Sequence, residues 1–253
     1  MKRIITLTTD FGLDDYYVGA MKGVILGINP DTQIIDITHS IPKYDVIKAA
    51  FTARNIYPYF PKGTIHVVVV DPGVGGKRKP IALHSEQGIF IGPDNGVFSL
   101  IYESSKEVRI REIANVEYML EEMSNTFHGR DIFAPVAAHI SLGVDINELG
   151  EGIESPVLLD FPEPTITENE IIGEVIYTDS FGNLITNIKG DLIKGYSRIH
   201  IDKFIIDSVA SSYQDADNAE LLAIIGSSGF LEISVNQGSA SELINDYRVT
   251  ILK

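Results

Sequence analysis

Hydrophobic positions along the chain alternate between runs suited to a strand and spacings suited to a helix. Arg3-Ile4-Ile5-Thr6-Leu7-Thr8-Thr9 reads as a strand that turns polar where Asp10-Phe11-Gly12 redirects the chain. Apolar residues then recur at Tyr17, Met21, Val24, Ile25 and Ile28, a helical spacing closed by Asn29-Pro30. Gln33 to Ile37 predicts the next strand, and Tyr44 to Ile56 a second helix closed by Pro58. The β-branched run Thr64-Ile65-His66-Val67-Val68-Val69-Val70 suits a strand buried on both faces, as in a parallel sheet between helices. Ile81 to His84 and Ile89 to Ile91 read as further strands, and Arg130 to Leu142 as a helix ended by Gly143. The βαβαβ order predicts an α/β layer domain with a mostly parallel central sheet.

The texture changes where Asp160-Phe161-Pro162-Glu163-Pro164 blocks both a helix and a central strand. Six short β-rich segments follow: Ile171–Tyr177, Leu184–Ile188, Ser197–Ile201, Leu222–Ile225, Phe230–Val235 and Arg248–Leu252. They predict a smaller all-β barrel or sandwich. The expected domains are therefore residues 1–163 and 164–253. The chain has no repeat of fixed period and no low-complexity tract.

Composition narrows the chemistry. The 253 residues contain no Cys, which removes disulfides, thiol nucleophiles and cysteine-ligated zinc or iron–sulfur sites. A net charge of −15 disfavours nucleic acid and anionic membranes, both of which would be repelled. With no long apolar run and no leader-like start, a soluble, cytoplasmic protein is expected.

Functional groups of α/β domains gather at the carboxyl ends of strands. Three such ends carry unusual polar groups: Thr8-Thr9-Asp10, Asp71-Pro72-Gly73-Val74-Gly75-Gly76-Lys77-Arg78, and Gly92-Pro93-Asp94-Asn95-Gly96. The second lacks phosphate-cradle spacing, since Lys77 is followed by Arg78 and Arg78 stands where G-x-G-x-x-G requires its third glycine. Asp10, His39, Asp71, His128 and Asp131 could supply metal ligands, but their spacing is loose and Arg78 and Arg130 would compete with a cation. Each also has a structural alternative, because a strand-end Asp often caps a turn and His39 fits a loop near Pro42. In the second domain, Asp179-Ser180-Phe181-Gly182-Asn183, Gly226-Ser227-Ser228-Gly229-Phe230 and Asn236-Gln237-Gly238-Ser239-Ala240 mix small polar groups, mostly beside an aromatic. Rings that stack and amides that read a hydrogen-bonding edge suit a purine.

These segments, with Phe127-His128-Gly129-Arg130-Asp131, resemble the S-adenosyl-L-methionine (SAM) hydroxide adenosyltransferases, relatives of the fluorinases and chlorinases. The resemblance runs in order through both expected domains. It implies hydrolysis of SAM to adenosine and L-methionine, with no cofactor and no metal. It also implies a homotrimer whose sites lie between subunits. The catalytic trio it implies is Asp71, Arg78 and His128. Asp10 matches a ribose-binding acid, Asp15 and Asp179 acids near the methionine amino group, and Ser227 a carboxylate-binding hydroxyl. Phe181, Asn183, Asn236 and Gln237 match the surroundings of adenine and ribose, while the relatives carry Arg at two positions near Ser228 and Val235 that differ here. Halide-dependent adenosyl transfer and non-catalytic adenosine or SAM binding are the alternatives. Arg78 and His128 are not kept in the halogenases, so their presence favours water as nucleophile.

Overall fold

The computed structural model describes residues 3–194 and 198–252. Its contacts divide the chain into two compact units, one ending at Leu159 and one beginning at Asp160.

The first unit runs β1 (Ile4–Thr9), α1 (Tyr17–Ile28), β2 (Gln33–Thr38), α2 (Val46–Ile56), β3 (Thr64–Val69), β4 (Pro80–Ser85), β5 (Gly88–Pro93), α3 (Ser99–Ser104), β6 (Val108–Glu112) and α4 (Ala134–Leu142). Its sheet has the order β2-β1-β3-β5-β4-β6. β2, β1, β3 and β5 pair in parallel, and β4 and β6 extend the sheet antiparallel. Every residue of β3 is buried, as its β-branched run predicts for a central strand. Val18, Met21 and Ile25 are the buried stripe of α1, and α4 stops at Gly143, whose φ of 113° supplies the left-handed cap.

Several expectations are corrected. α2 starts at Val46 rather than Tyr44, because Asp45 takes the N-cap position and accepts from the Lys48 N–H. The helix read as beginning at Arg130 opens instead with a π-helical turn over Gly129–Phe133. β6 and α3 carry no strong periodicity and were not expected.

The core of β3 holds an ionisable group. His66 bonds Thr6 Oγ1 through Nδ1 at 2.9 Å and stacks on Phe90 with ring centroids 5.0 Å apart. Burial pushes its pKa down to about 4. Above pH 6.5 neither folded nor unfolded chain is protonated here. As pH falls from about 6.5 to about 4, the unfolded chain takes up a proton that the folded one refuses, and about 3 kcal/mol of stability is lost. Urea titrations between pH 7.5 and 4.5 should show a smaller acid loss for His66→Phe than for the wild type. Equal losses would remove His66 as the cause.

The second unit contains β7 (Thr165–Ile166), β8 (Glu170–Thr178), β9 (Leu184–Lys189), β10 (Arg198–Ile201), β11 (Phe204–Ile206), β12 (Val209–Ala210), β13 (Leu221–Ile225), β14 (Phe230–Val235) and β15 (Arg248–Leu252). Their order is β11-β10-β15-β8-β9-β14-β13-β12, with β7 beside β8. All pairings are antiparallel except β12 with β13, and β11 approaches β13 so that the sheet curls toward a barrel. Ser197, the first residue of one expected strand, lies outside the described residues. β7, β11 and β12 are two or three residues long, too short for alternation to announce them. Among the described residues no helix is long and apolar enough to cross a membrane.

Candidate active site

Strand β3 delivers Asp71 to its carboxyl end, and the glycine-rich turn after it folds Arg78 back onto Asp71. Arg78 Nε donates to both carboxylate oxygens, at 3.1 and 2.9 Å, and Nη2 donates to Oδ2 at 2.5 Å. Both side chains are nearly buried, at 9% and 5% exposure, which strengthens the pair and makes loss of either partner costly. The guanidinium also lies over the Phe133 ring, 5.6 Å from its centroid.

Arg78 Nη2 contacts His128 Nδ1 at 2.7 Å. A guanidinium can only donate, so Nδ1 is the acceptor and the neutral ring carries its proton on Nε2. Burial, then the Arg78 charge, lowers the His128 pKa below its ordinary value, which keeps the ring neutral near pH 7. Nη2 thus gives one hydrogen to Asp71 and one to His128. Nη1 makes no hydrogen bond among the described residues.

Neighbouring loops fix this chain. Asn95 Nδ2 donates to the Val70 carbonyl at 2.9 Å, holding the residue before Asp71. Gly75 has φ of 72°, and a Cβ there would sit 2.2 Å from the Asn125 carbonyl oxygen. Only glycine lets the turn bearing Arg78 pack this closely on the loop leading to His128. Fully buried Asp131 secures that loop by accepting from the Ser124 N–H at 2.8 Å and from Arg130 Nε at 2.5 Å.

The chain borders a cavity of about 580 Å³ lined by Asp10, Asp15, Asp71 and His128 together with Phe11, Tyr16, Tyr17, Lys43, Tyr44 and Arg130. Asp10 Oδ2 accepts the Tyr44 N–H at 2.9 Å, and Asp15 is exposed. Phe11, Tyr17 and Phe127 pack with centroids 5.1 to 5.8 Å apart and form an aromatic wall. Tyr44 was not expected as a lining residue. Its φ of 70° is rare for a bulky side chain, and it aims the N–H at Asp10. Exposed aromatics Tyr16 and Tyr17 directly after Asp15 were the available signal for that wall. Among the described residues no three potential metal ligands of His, Asp or Glu come together. The five candidates are engaged separately, Asp71 and His128 with Arg78, Asp131 with Arg130, Asp10 with Tyr44 and His39 with Thr9.

In the second unit Asp179 organises the β8–β9 turn. Its carboxylate accepts the N–H groups of Phe181 and Asn183 and the Asn183 side-chain amide, all at 2.9 Å. That leaves Phe181 76% exposed while Asn183 is buried. Gly182 joins this turn to the segment after β14, because its carbonyl accepts from the Ser241 N–H at 3.0 Å. Asn236 and Gln237 begin that segment, with the Asn236 amide donating to the Ala216 carbonyl at 2.9 Å and Gln237 exposed. The same strand end therefore gathers Asp179, Phe181, Asn183, Asn236 and Gln237. Ser227 is not among them: it sits exposed in the β13–β14 turn, at the other end of β14.

The chain thus combines an α/β unit, whose strand ends carry the Asp71–Arg78–His128 chain beside a cavity, with a curled β unit. The chain belongs to the SAM hydroxide adenosyltransferase family. Profiles of that family's N-terminal and C-terminal domains match residues 5–150 and 173–246. An (R)-S-adenosyl-L-methionine hydrolase from Methanocaldococcus jannaschii is 39% identical, covering 96% of this chain and 93% of its own. A fluorinase from an Actinoplanes species is a more distant relative, 27% identical over 92% of this chain and 91% of its own. The crystal structure of an uncharacterized conserved protein from Thermotoga maritima superposes with a TM-score of 0.92 at 40% identity, covering 98% of this chain and all of that one.

Proposed function

We propose that this protein hydrolyses S-adenosyl-L-methionine to adenosine and L-methionine, with the (R) configuration at sulfur that its M. jannaschii relative is named for. The observation that carries this reading is the Asp71–Arg78–His128 chain beside the cavity. A sulfonium leaves with its bonding electrons and becomes a neutral thioether, so the reaction needs neither a leaving-group acid nor a metal. What it needs is an oxygen nucleophile aligned behind C5′, and such alignment supplies up to about 7–11 kcal/mol.

Arg78 stays protonated and cannot act as a base. Its free Nη1 is suited to hold the water and favour hydroxide, while Asp71 fixes the plane of the guanidinium. His128, with Nδ1 tied to Arg78, faces the nucleophile through Nε2–H and donates to hydroxide. The water proton goes to solvent, the O–C5′ bond forms as the C5′–S bond breaks, and charge is conserved.

Asp10 binds the ribose hydroxyls, and Asp15 and Asp179 attract the methionine ammonium. A carboxylate has about four acceptor positions, so the three bonds Asp179 makes in its own turn leave roughly one for the ligand. Ser227 is assigned to the methionine carboxylate, and Phe181, Asn183, Asn236 and Gln237 to adenine and ribose. The homotrimer and the cytoplasmic location are parts of the same proposal.

The direct test incubates purified protein with a mixture of SAM epimers in the presence of EDTA. Equimolar adenosine and methionine, formed from the (R) epimer, are expected. Absence of adenosine, or a 5′-halo-5′-deoxyadenosine formed in fluoride or chloride, would overturn the proposal.

A further inference from the structure

Behind Asp10 lies a buried polar chain that hydrolysis itself leaves unused. Thr9 and His39 are almost fully enclosed, and Thr9 Oγ1 meets His39 Nδ1 at 2.9 Å. His39 Nε2 lies 3.1 Å from Asp36 Oδ1, close enough for charge to act but not aligned as a hydrogen bond, and Nε2 has no hydrogen-bond partner among the described residues. Lys22 Nζ holds the other Asp36 oxygen at 2.5 Å. A carboxylate this near selects the ring form with its proton on Nε2, because a bare nitrogen there would face a negative oxygen. Nδ1 is then the acceptor, and the Thr9 hydroxyl spends its one hydrogen on it.

The hydroxyl oxygen is thereby left with its lone pairs for the turn ahead. It accepts the Phe11 N–H at 3.3 Å, and the His39 carbonyl accepts the Gly12 N–H at 2.7 Å. Asp10 is thus flanked by Thr9, Phe11 and Gly12, all bonded to this chain directly or through it. A shift in the β1–β2 register between Leu7 and Thr8, which pairs Thr8 with Thr38, accompanies the placement of His39 behind Thr9.

We infer that Asp36, His39 and Thr9 are positioning residues that orient Asp10 toward the ribose hydroxyls of the ligand. The inference rests on the ribose-binding role of Asp10 proposed above. Calorimetric binding of adenosine and of 2′,3′-dideoxyadenosine to the full chain separates the two. Asp10→Asn should abolish most of the preference for adenosine. Thr9→Val, which keeps the shape and removes the hydroxyl, should reduce that preference about tenfold, and Thr9→Ser should restore it. A purely packing role would weaken both ligands alike and leave the preference unchanged.

His39→Phe fills the same space without an acceptor and should lose the preference by the same factor, providing a second route should Thr9→Val not fold. An unchanged preference in Asp10→Asn removes the ribose role and the inference with it. A preference lost in Asp10→Asn but kept in both Thr9→Val and His39→Phe overturns the inference alone.

Discussion

Arg78→Ala is expected to lower SAM hydrolysis by about 10³-fold, the upper range for removing a donor aimed at developing or stabilised negative charge. The guanidinium is one body that bonds Asp71 through Nε and Nη2 and His128 through Nη2, and the proposed mechanism gives Nη1 to the nucleophile. Its removal also leaves Asp71 buried without a counter-charge, so thermal unfolding must be followed alongside activity. Arg78→Lys isolates the geometry. Lysine keeps the cation but has no planar fork to span a carboxylate and an imidazole together, so a loss of about 10²-fold is expected with the fold retained. Near-normal turnover in Arg78→Lys would mean that charge alone suffices, and would end the assignment of separate nitrogens to separate partners.

The second large effect belongs to His128. Alanine at this position should lower the rate about 10²-fold, and the pH profile should say how. In the folded protein the His128 pKa is depressed by burial first and by Arg78 next. The ring is therefore neutral around neutral pH and gains a proton only below the ordinary histidine range. That proton would have to enter at Nδ1, against the Arg78 N–H, and so break the link between them. Wild-type activity should accordingly show an acid limb lying below the ordinary histidine range, and His128→Asn should lack that acid limb while retaining part of the rate through its amide. An acid limb of the same position in His128→Asn would transfer the titration to another group.

Much of the first unit was legible because its signals are local. A continuous β-branched run, a helical stripe ended by Asn29-Pro30 and a glycine after Leu142 each act within a few residues. The second unit was less legible. Two- and three-residue strands such as β7, β11 and β12 owe their state to partners rather than to their own pattern.

The site divides in the same way. Sequence alone marked three strand ends as chemically unusual, and the run of motifs picked out Asp71, Arg78 and His128. It did not show that Arg78 Nη2 is shared between Asp71 and His128, because that contact joins residues 50 positions apart. Nor did it show Tyr44 at positive φ with its N–H on Asp10, an arrangement that runs against the residue's own preference. Residue identity and spacing determined which chemical groups were available and at which strand ends they would lie. Tertiary packing decided which nitrogen faces which partner, and so the protonation state of His128, because tautomer and hydrogen-bond direction are set by neighbours in space rather than in sequence.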